Sequence, residues 1–129
     1  MAERPLSPVW VYRWGYTMAL SLLHRASGIA LIAALLGLVV WLTSVSFGAA
    51  SYASVLPALT GNAAKVLVSL ALIALIYHFC NGLRHLAWDI GWGFERAAAR
   101  RSAVLVLIAT LLGSALCIYC IFAHAAGVP

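Results

Sequence analysis

The chain has 129 residues, 65% hydrophobic and 9% charged, with a mean hydropathy of +1.04. A water-soluble domain of this length cannot bury so much apolar surface, whereas a bilayer hosts it. The net charge of +5 comes from basic residues that flank the apolar runs. This distribution argues for lipid headgroups and membrane topology, and against nucleic acid as a partner.

Met1–Tyr16 reads as an irregular lead-in, because Pro5 and Pro8 disfavour an early helix and Trp10, Tyr12, Trp14 and Tyr16 suit a membrane interface. A first helix is expected over about 17–46. Its charge-free stretch Ala26–Phe47 exceeds the ~18–20 residues that cross a bilayer. It is also longer than the roughly 7–15 apolar residues of a signal-peptide core, so a span of the mature protein is expected. Gly48–Asn62, rich in Gly, Ala, Ser and Pro, reads as a loop. A second helix over about 63–88 contains the apolar run Val66–Leu83, in which His78 is the one basic side chain. Gly91–Arg101 reads as a charged loop with room for a helical turn, and a third helix over about 102–125 contains the charge-free run Ala103–Ala123.

The expected fold is therefore an all-α membrane protein, one transmembrane anchor domain over residues 1–129. Short loops force neighbouring helices to be antiparallel, giving three transmembrane helices that run up-down-up. Three helices enclose little space, so any cofactor needs helices from another chain, and the bundle is expected to belong to a larger hetero-subunit assembly. Arg4, Arg13 and Arg25 precede the first span, Arg84, Arg96, Arg100 and Arg101 surround the second loop, and Lys65 stands alone on the other side. The positive-inside rule places the N-terminus and the second loop in the cytoplasm and the C-terminus across the membrane. Trp10, Trp14, Trp88 and Trp92 fall on that cytoplasmic side as an interfacial belt.

Ionisable groups at bilayer depth mark functional sites by default. A buried neutral imidazole is tolerated when a metal takes its lone pair or when it hydrogen-bonds a neighbouring helix, and both readings apply to His78. His85 follows seven residues later, about 20° short of two full turns and ~10 Å along the axis. Both cannot ligate one iron, but one can bind it while the other meets the cofactor's edge. Gly82 offers a flat macrocycle room against the backbone, and Arg84 and His85 lie where propionates need partners. Asp89 is four residues beyond His85 and can orient it. On the first helix Ser21, His24, Arg25 and Gly28 share one face. A hydroxyl and a guanidinium four residues apart can converge on a carbonyl oxygen, and arginine stabilises the negative charge that builds as a quinone is reduced. His24 can serve a propionate or a proton path. Their plain alternatives are a snorkelling Arg25, a Ser21 bonded back to its helix and a His24 among headgroups. Tyr77 and Asn81 read as helix–helix contacts, and Cys80, Cys117 and Cys120 as small apolar packing residues.

Ser21-Leu-Leu-His24-Arg25-Ala-Ser27-Gly28 resembles the S-x-x-H-R-x-[ST]-G motif of the cytochrome b subunits of succinate dehydrogenase. His78-x3-Gly82-x-Arg84-His85-Leu86-x2-Asp89 resembles their second motif, H-x3-G-x-R-H-x3-D, and Arg4-Pro-Leu-Ser-Pro8 with Tyr12-Arg13 resembles their lead-in, save that Val9 replaces a frequent histidine. The resemblance implies that His78 is an axial ligand of a haem b whose iron takes its second ligand from a partner anchor subunit. It implies that His24, Arg25 and His85 lie near the propionates, and that Ser21 and Arg25 line a ubiquinone pocket closed by the partner anchor and an iron–sulfur subunit. Succinate oxidation would belong to a separate flavoprotein subunit, so this chain acts as a part of the enzyme and lacks the succinate site. The implied location is the bacterial inner membrane. Competing readings are a haem-free structural anchor, the anchor of a quinol:fumarate reductase, and a small transporter or proton-conducting subunit. The last predicts ionisable groups spread through the membrane depth, and here they cluster on one side.

Overall fold

The computed structural model describes residues 15–125, and the lead-in motif from Arg4 to Arg13, with Val9, Trp10 and Trp14, lies outside them, as does the side chain of His124. Four helices follow in order: α1 Tyr16–Ser46, α2 Ala49–Thr60, α3 Asn62–Asp89 and α4 Arg96–Ala125. α1, α3 and α4 are each long and apolar enough to cross a membrane, as the sequence predicts. At 1.5 Å per residue the 31 residues of α1 extend to about 46 Å, longer than a hydrocarbon core of ~30 Å.

Two boundaries differ from expectation. Gly48–Asn62, read as a loop, is mostly the helix α2. Its alanines favour helix, and the residues that looked like loop formers act as punctuation. Gly48 turns the chain at φ 95°, a conformation open to glycine, and Gly61 separates α2 from α3. Pro57 is accommodated in the third turn. α4 begins at Arg96 and not near residue 102. The Arg96-Ala-Ala-Ala-Arg-Arg stretch is polar enough to leave the hydrocarbon, yet both residue types are strong helix formers. The sequence criterion located the apolar run and not the helix.

α3 is the central helix. It packs along α1 on one side and α4 on the other, while α1 and α4 touch little. Contacts pair Gly28 with His78 and His24 with Gly82, so α1 and α3 run antiparallel. Arg84 meets Ser102 and Ile76 meets Gly113, so α3 and α4 do too. The Tyr16 hydroxyl donates to the Arg96 carbonyl at 3.4 Å, which brings the starts of α1 and α4 to the same end.

The interior is narrow and partly polar. Leu20, Tyr77, Ala103 and Val106 form its apolar cluster, with Cys80 packed against it. Around them Ser27, Asn81, Arg84, Thr110 and Ser114 are buried. On α3, Tyr77, Asn81, Arg84 and Trp88 recur at helical spacing and form one inward stripe, from which Tyr77 reaches α1 and Arg84 reaches α4. On α4 the matching stripe is Ala99, Ala103, Val106, Thr110 and Ser114, whose small members let the backbones approach. The Thr110 hydroxyl donates to Val106 O at 2.7 Å and the Ser114 hydroxyl to Thr110 O at 2.6 Å, so neither is left unsatisfied. The large aliphatic side chains mostly face outward, as a lipid-embedded chain requires. Cys80, Cys117 and Cys120 are free thiols; Cys80 packs against the core cluster, Cys117 is half-buried and Cys120 is exposed.

Candidate functional site

The face of α3 turned toward α1 carries His78 and His85, and α1 inserts His24 between them. The His24 and His78 rings stack with centroids 4.0 Å apart and planes 12° from parallel. His24 and His85 lie 5.1 Å apart at 47°. One α1 side chain thus fills the ~10 Å gap that seven residues of α3 open. His85 also meets Trp88 edge-on at 5.3 Å, and Trp88 stacks on Phe94 at 6.1 Å, so an aromatic file runs from mid-span to the connection before α4.

Two glycines make the interdigitation fit. A Cβ on Gly28 would lie 3.2 Å from His78 Cε1, closer than ordinary packing allows. One on Gly82 would lie 3.7 Å from His24 Cε1, a normal contact. Gly82 was expected to make room for a macrocycle. Here its surface faces the His24 ring.

His78 is held by α1. Its Nδ1 lies 3.0 Å from Ser27 Oγ and 3.2 Å from the His24 carbonyl. The Ser27 hydroxyl itself donates to that same carbonyl at 2.8 Å. A carbonyl only accepts, so a hydrogen bond from His78 Nδ1 to the His24 carbonyl assigns the ring hydrogen to Nδ1, with the Ser27 hydroxyl, turned to the same carbonyl, as a second acceptor. Nε2 is then the nitrogen with a free lone pair. His24 Nδ1 is buried and has no hydrogen-bond partner among the described residues. Among those residues no group of three ligating side chains converges on a bare metal ion. The histidines stack instead.

The remaining predicted residues divide. Ser21 is half-buried and Arg25 exposed, both on α1 within a turn of His24. Ser27, Ser44, Ser46, Ser54 and Ser69 all bond back to their own helix. The Ser21 hydroxyl makes no such bond among the described residues and stays available. Asp89 is exposed, and His85 takes its orientation from His24 and Trp88. Arg84, expected to face the cofactor, points the other way. Its Nε donates to Ser102 Oγ at 3.0 Å, Nη2 to Ala99 O at 3.3 Å and Nη1 to Asn81 Oδ1 at 3.4 Å, and its guanidinium lies 4.0 Å from the Trp88 ring centre. It is 100° from His85 on the helical wheel, which suffices to place it on the α4 face.

Sequence reasoning passed over Ser27 as a mere motif letter. Its signal was the spacing: three residues from His24 and beside Gly28, it shares the face that meets α3. It also left Tyr77 as a generic contact, whereas the Tyr77 hydroxyl donates to the Leu20 carbonyl at 2.7 Å and clamps α3 to α1 inside the bundle.

The sequence profile of the succinate dehydrogenase/fumarate reductase transmembrane subunits matches residues 1–117. The mitochondrial succinate dehydrogenase cytochrome b560 subunit of Homo sapiens is 40% identical over 118 residues, covering 88% of this chain and 69% of the relative. The equivalent subunit of Bos taurus is 42% identical over 119 residues, covering 87% and 68%. The cytochrome b556 subunit of Rickettsia bellii is 36% identical over 111 residues, covering 85% and 86%. With its three spans and both histidine motifs on facing helices, the chain belongs to the transmembrane-subunit family of succinate dehydrogenase and fumarate reductase, as a cytochrome b-type membrane anchor.

Proposed function

We propose that the chain anchors a succinate:quinone oxidoreductase in the bacterial inner membrane, holds haem b jointly with a second anchor subunit, and forms part of the ubiquinone-reduction site. The observation that carries this reading is His78: a histidine within a long apolar helix, with Nδ1 held against Ser27 Oγ and the His24 carbonyl of α1, an arrangement that leaves Nε2 to serve as a ligand. The donor chemistry fits a haem. One imidazole nitrogen of His78 would bind the iron, and the buried Nδ1 of His24, without a hydrogen-bond partner among the described residues, would offer a polar contact beside it. A second anchor subunit would supply the other ligand. The haem, when bound, supplies one-electron storage within the membrane.

On this reading the chain's own residues have distinct tasks. His78 ligates, and His24 and His85 border the haem edge with Arg25. Ser21 and Arg25 present a hydroxyl and a guanidinium to a quinone carbonyl oxygen, where the guanidinium charge favours the reduced form. A quinone is lipid-soluble and its electrons come from water-soluble subunits, so the site belongs near one membrane surface. The basic residues put that surface on the cytoplasmic side, with the N-terminus. The iron–sulfur subunit delivers the electrons, and the flavoprotein subunit oxidises succinate.

The test is His78→Ala in the assembled complex, which is expected to abolish or strongly perturb the reduced b-type haem spectrum. An unchanged spectrum removes the ligand assignment. Arg25→Ala is expected to cut quinone reductase activity while sparing succinate oxidation with a soluble artificial acceptor. Equal loss of both assigns Arg25 to assembly. The hydrogen bonds of His78 to α1 also favour a second reading, a haem-free anchor in which His78 only joins helices. Pigment extraction from the purified complex separates the two.

A further inference from the structure

We infer that Ser27 is a positioning residue for His78, fixing which ring nitrogen carries the hydrogen and so directing Nε2 to the iron. The inference rests on the haem reading above. Three atoms form a closed set: Ser27 Oγ is 2.8 Å from the His24 carbonyl, His78 Nδ1 is 3.0 Å from Ser27 Oγ, and His78 Nδ1 is 3.2 Å from the same carbonyl. Ser27 is 8% exposed, so water does not compete for its hydroxyl. The hydroxyl has one hydrogen, and the carbonyl, which has none to give, receives it. The second lone-pair direction of Ser27 Oγ is then open to the Nδ1–H of His78. Stacking by His24 at 4.0 Å and the close approach of Gly28 to His78 Cε1 restrict the remaining rotation of the ring.

Hydrogen bonding at the distal nitrogen of a ligating histidine raises the basicity of the ligating one. A more basic axial ligand favours ferric over ferrous iron, so the Ser27 contact holds the haem potential down. The backbone carbonyl of His24 shares the task, and no side-chain replacement at position 24 removes it. Ser27 is the part of the device that mutation can reach.

The experiment uses the assembled complex with three variants of this chain: Ser27→Ala, Ser27→Thr and His78→Ala. Ser27→Ala is expected to keep haem, with its midpoint potential raised and its low-spin ferric resonance shifted. Ser27→Thr, which retains the hydroxyl, is expected to restore both toward the parent. Ser27→Ala with the parent's potential and resonance overturns the inference. So does a Thr variant as perturbed as the Ala variant, because the hydroxyl is then irrelevant. Should Ser27→Ala fail to assemble, Ser27→Cys replaces it, with a weaker acceptor and the same expected sign. Loss of the haem spectrum in His78→Ala, beside an unperturbed Ser27→Ala, sinks the positioning role and leaves the haem reading standing. Retention of the spectrum in His78→Ala sinks both.

Discussion

Alanine at position 28 measures how tightly α1 closes on α3. The new methyl carbon would stand 3.2 Å from His78 Cε1 and 3.7 Å from Nδ1, whereas comfortable carbon–carbon contact begins near 3.5–4.0 Å. The ring has little freedom to retreat, because Nδ1 is bonded to α1 and one face is covered by His24. Either the helices part by a few tenths of an ångström or His78 gives up its hydrogen bonds. Overpacking of this kind costs about 1–3 kcal/mol. Alanine also gains about 1 kcal/mol of helix propensity over glycine, which masks part of that cost. Gly82→Ala supplies the correction. It gains the same propensity, and its methyl carbon meets His24 Cε1 at 3.7 Å, an ordinary distance. The difference between the variants then isolates the steric part. The assay is thermal unfolding of the detergent-solubilised complex, followed by helical circular dichroism. Gly82→Ala is expected to melt at or above the parent and Gly28→Ala clearly below it. Coincident melting, or Gly82→Ala as the weaker of the two, would refute the packing argument.

Arg84 is buried, at 5% exposure, among neutral acceptors and the Trp88 ring. Lysine cannot reproduce a fork that reaches three acceptors and stacks on an indole. Arg84→Lys is therefore expected to lower the unfolding temperature nearly as much as Arg84→Ala, and full rescue by lysine would show that charge alone matters. Tyr77→Phe removes the hydroxyl from Leu20 O without opening a cavity. Its expected cost is small, about 0.6 kcal/mol, the usual size of a side-chain hydrogen bond between helices in a membrane. A loss of several kcal/mol on chemical unfolding in detergent would mean that the bond fixes more than one contact.

The three spans were legible because apolar length is a strong signal, and the ends were not because polar helix looks like loop. Arg96–Arg101 forms helix outside the hydrophobic run, and Ala49–Thr60, though largely apolar, is short and interrupted by Ser51, Ser54 and Pro57, so it read as loop. The histidine motifs were legible as motifs. Which side of α3 each polar residue faces was not. A wheel places Arg84 100° from His85 but does not reveal where the neighbours stand. His24 posed the same problem: spacing puts it on a face with Ser21 and Arg25, while only the antiparallel register of α1 and α3 puts its ring between His78 and His85.

That register depends on few contacts. Most large aliphatic side chains face outward, and hydrocarbon is as good a solvent for them as another helix. Burial therefore discriminates weakly between alternative alignments of the three spans. Polar pairs discriminate more, because a slip by one turn of ~5.4 Å would part His78 from Ser27 and Arg84 from Ser102 in a medium that offers no replacement hydroxyls. Tyr77 on Leu20 and His78 on Ser27 set α1 against α3, and Arg84 on Ser102 and Ala99 sets α4 against α3. Tyr77 shares the buried stripe of Arg84, whereas His78 lies about 120° around the helix from Arg84. The division lets the α4 face fix the bundle with a buried cation, while the α1 face holds His78 by one nitrogen and leaves the other uncommitted. A helix that used both nitrogens of His78 for register would be as well aligned and would have nothing left to offer a ligand.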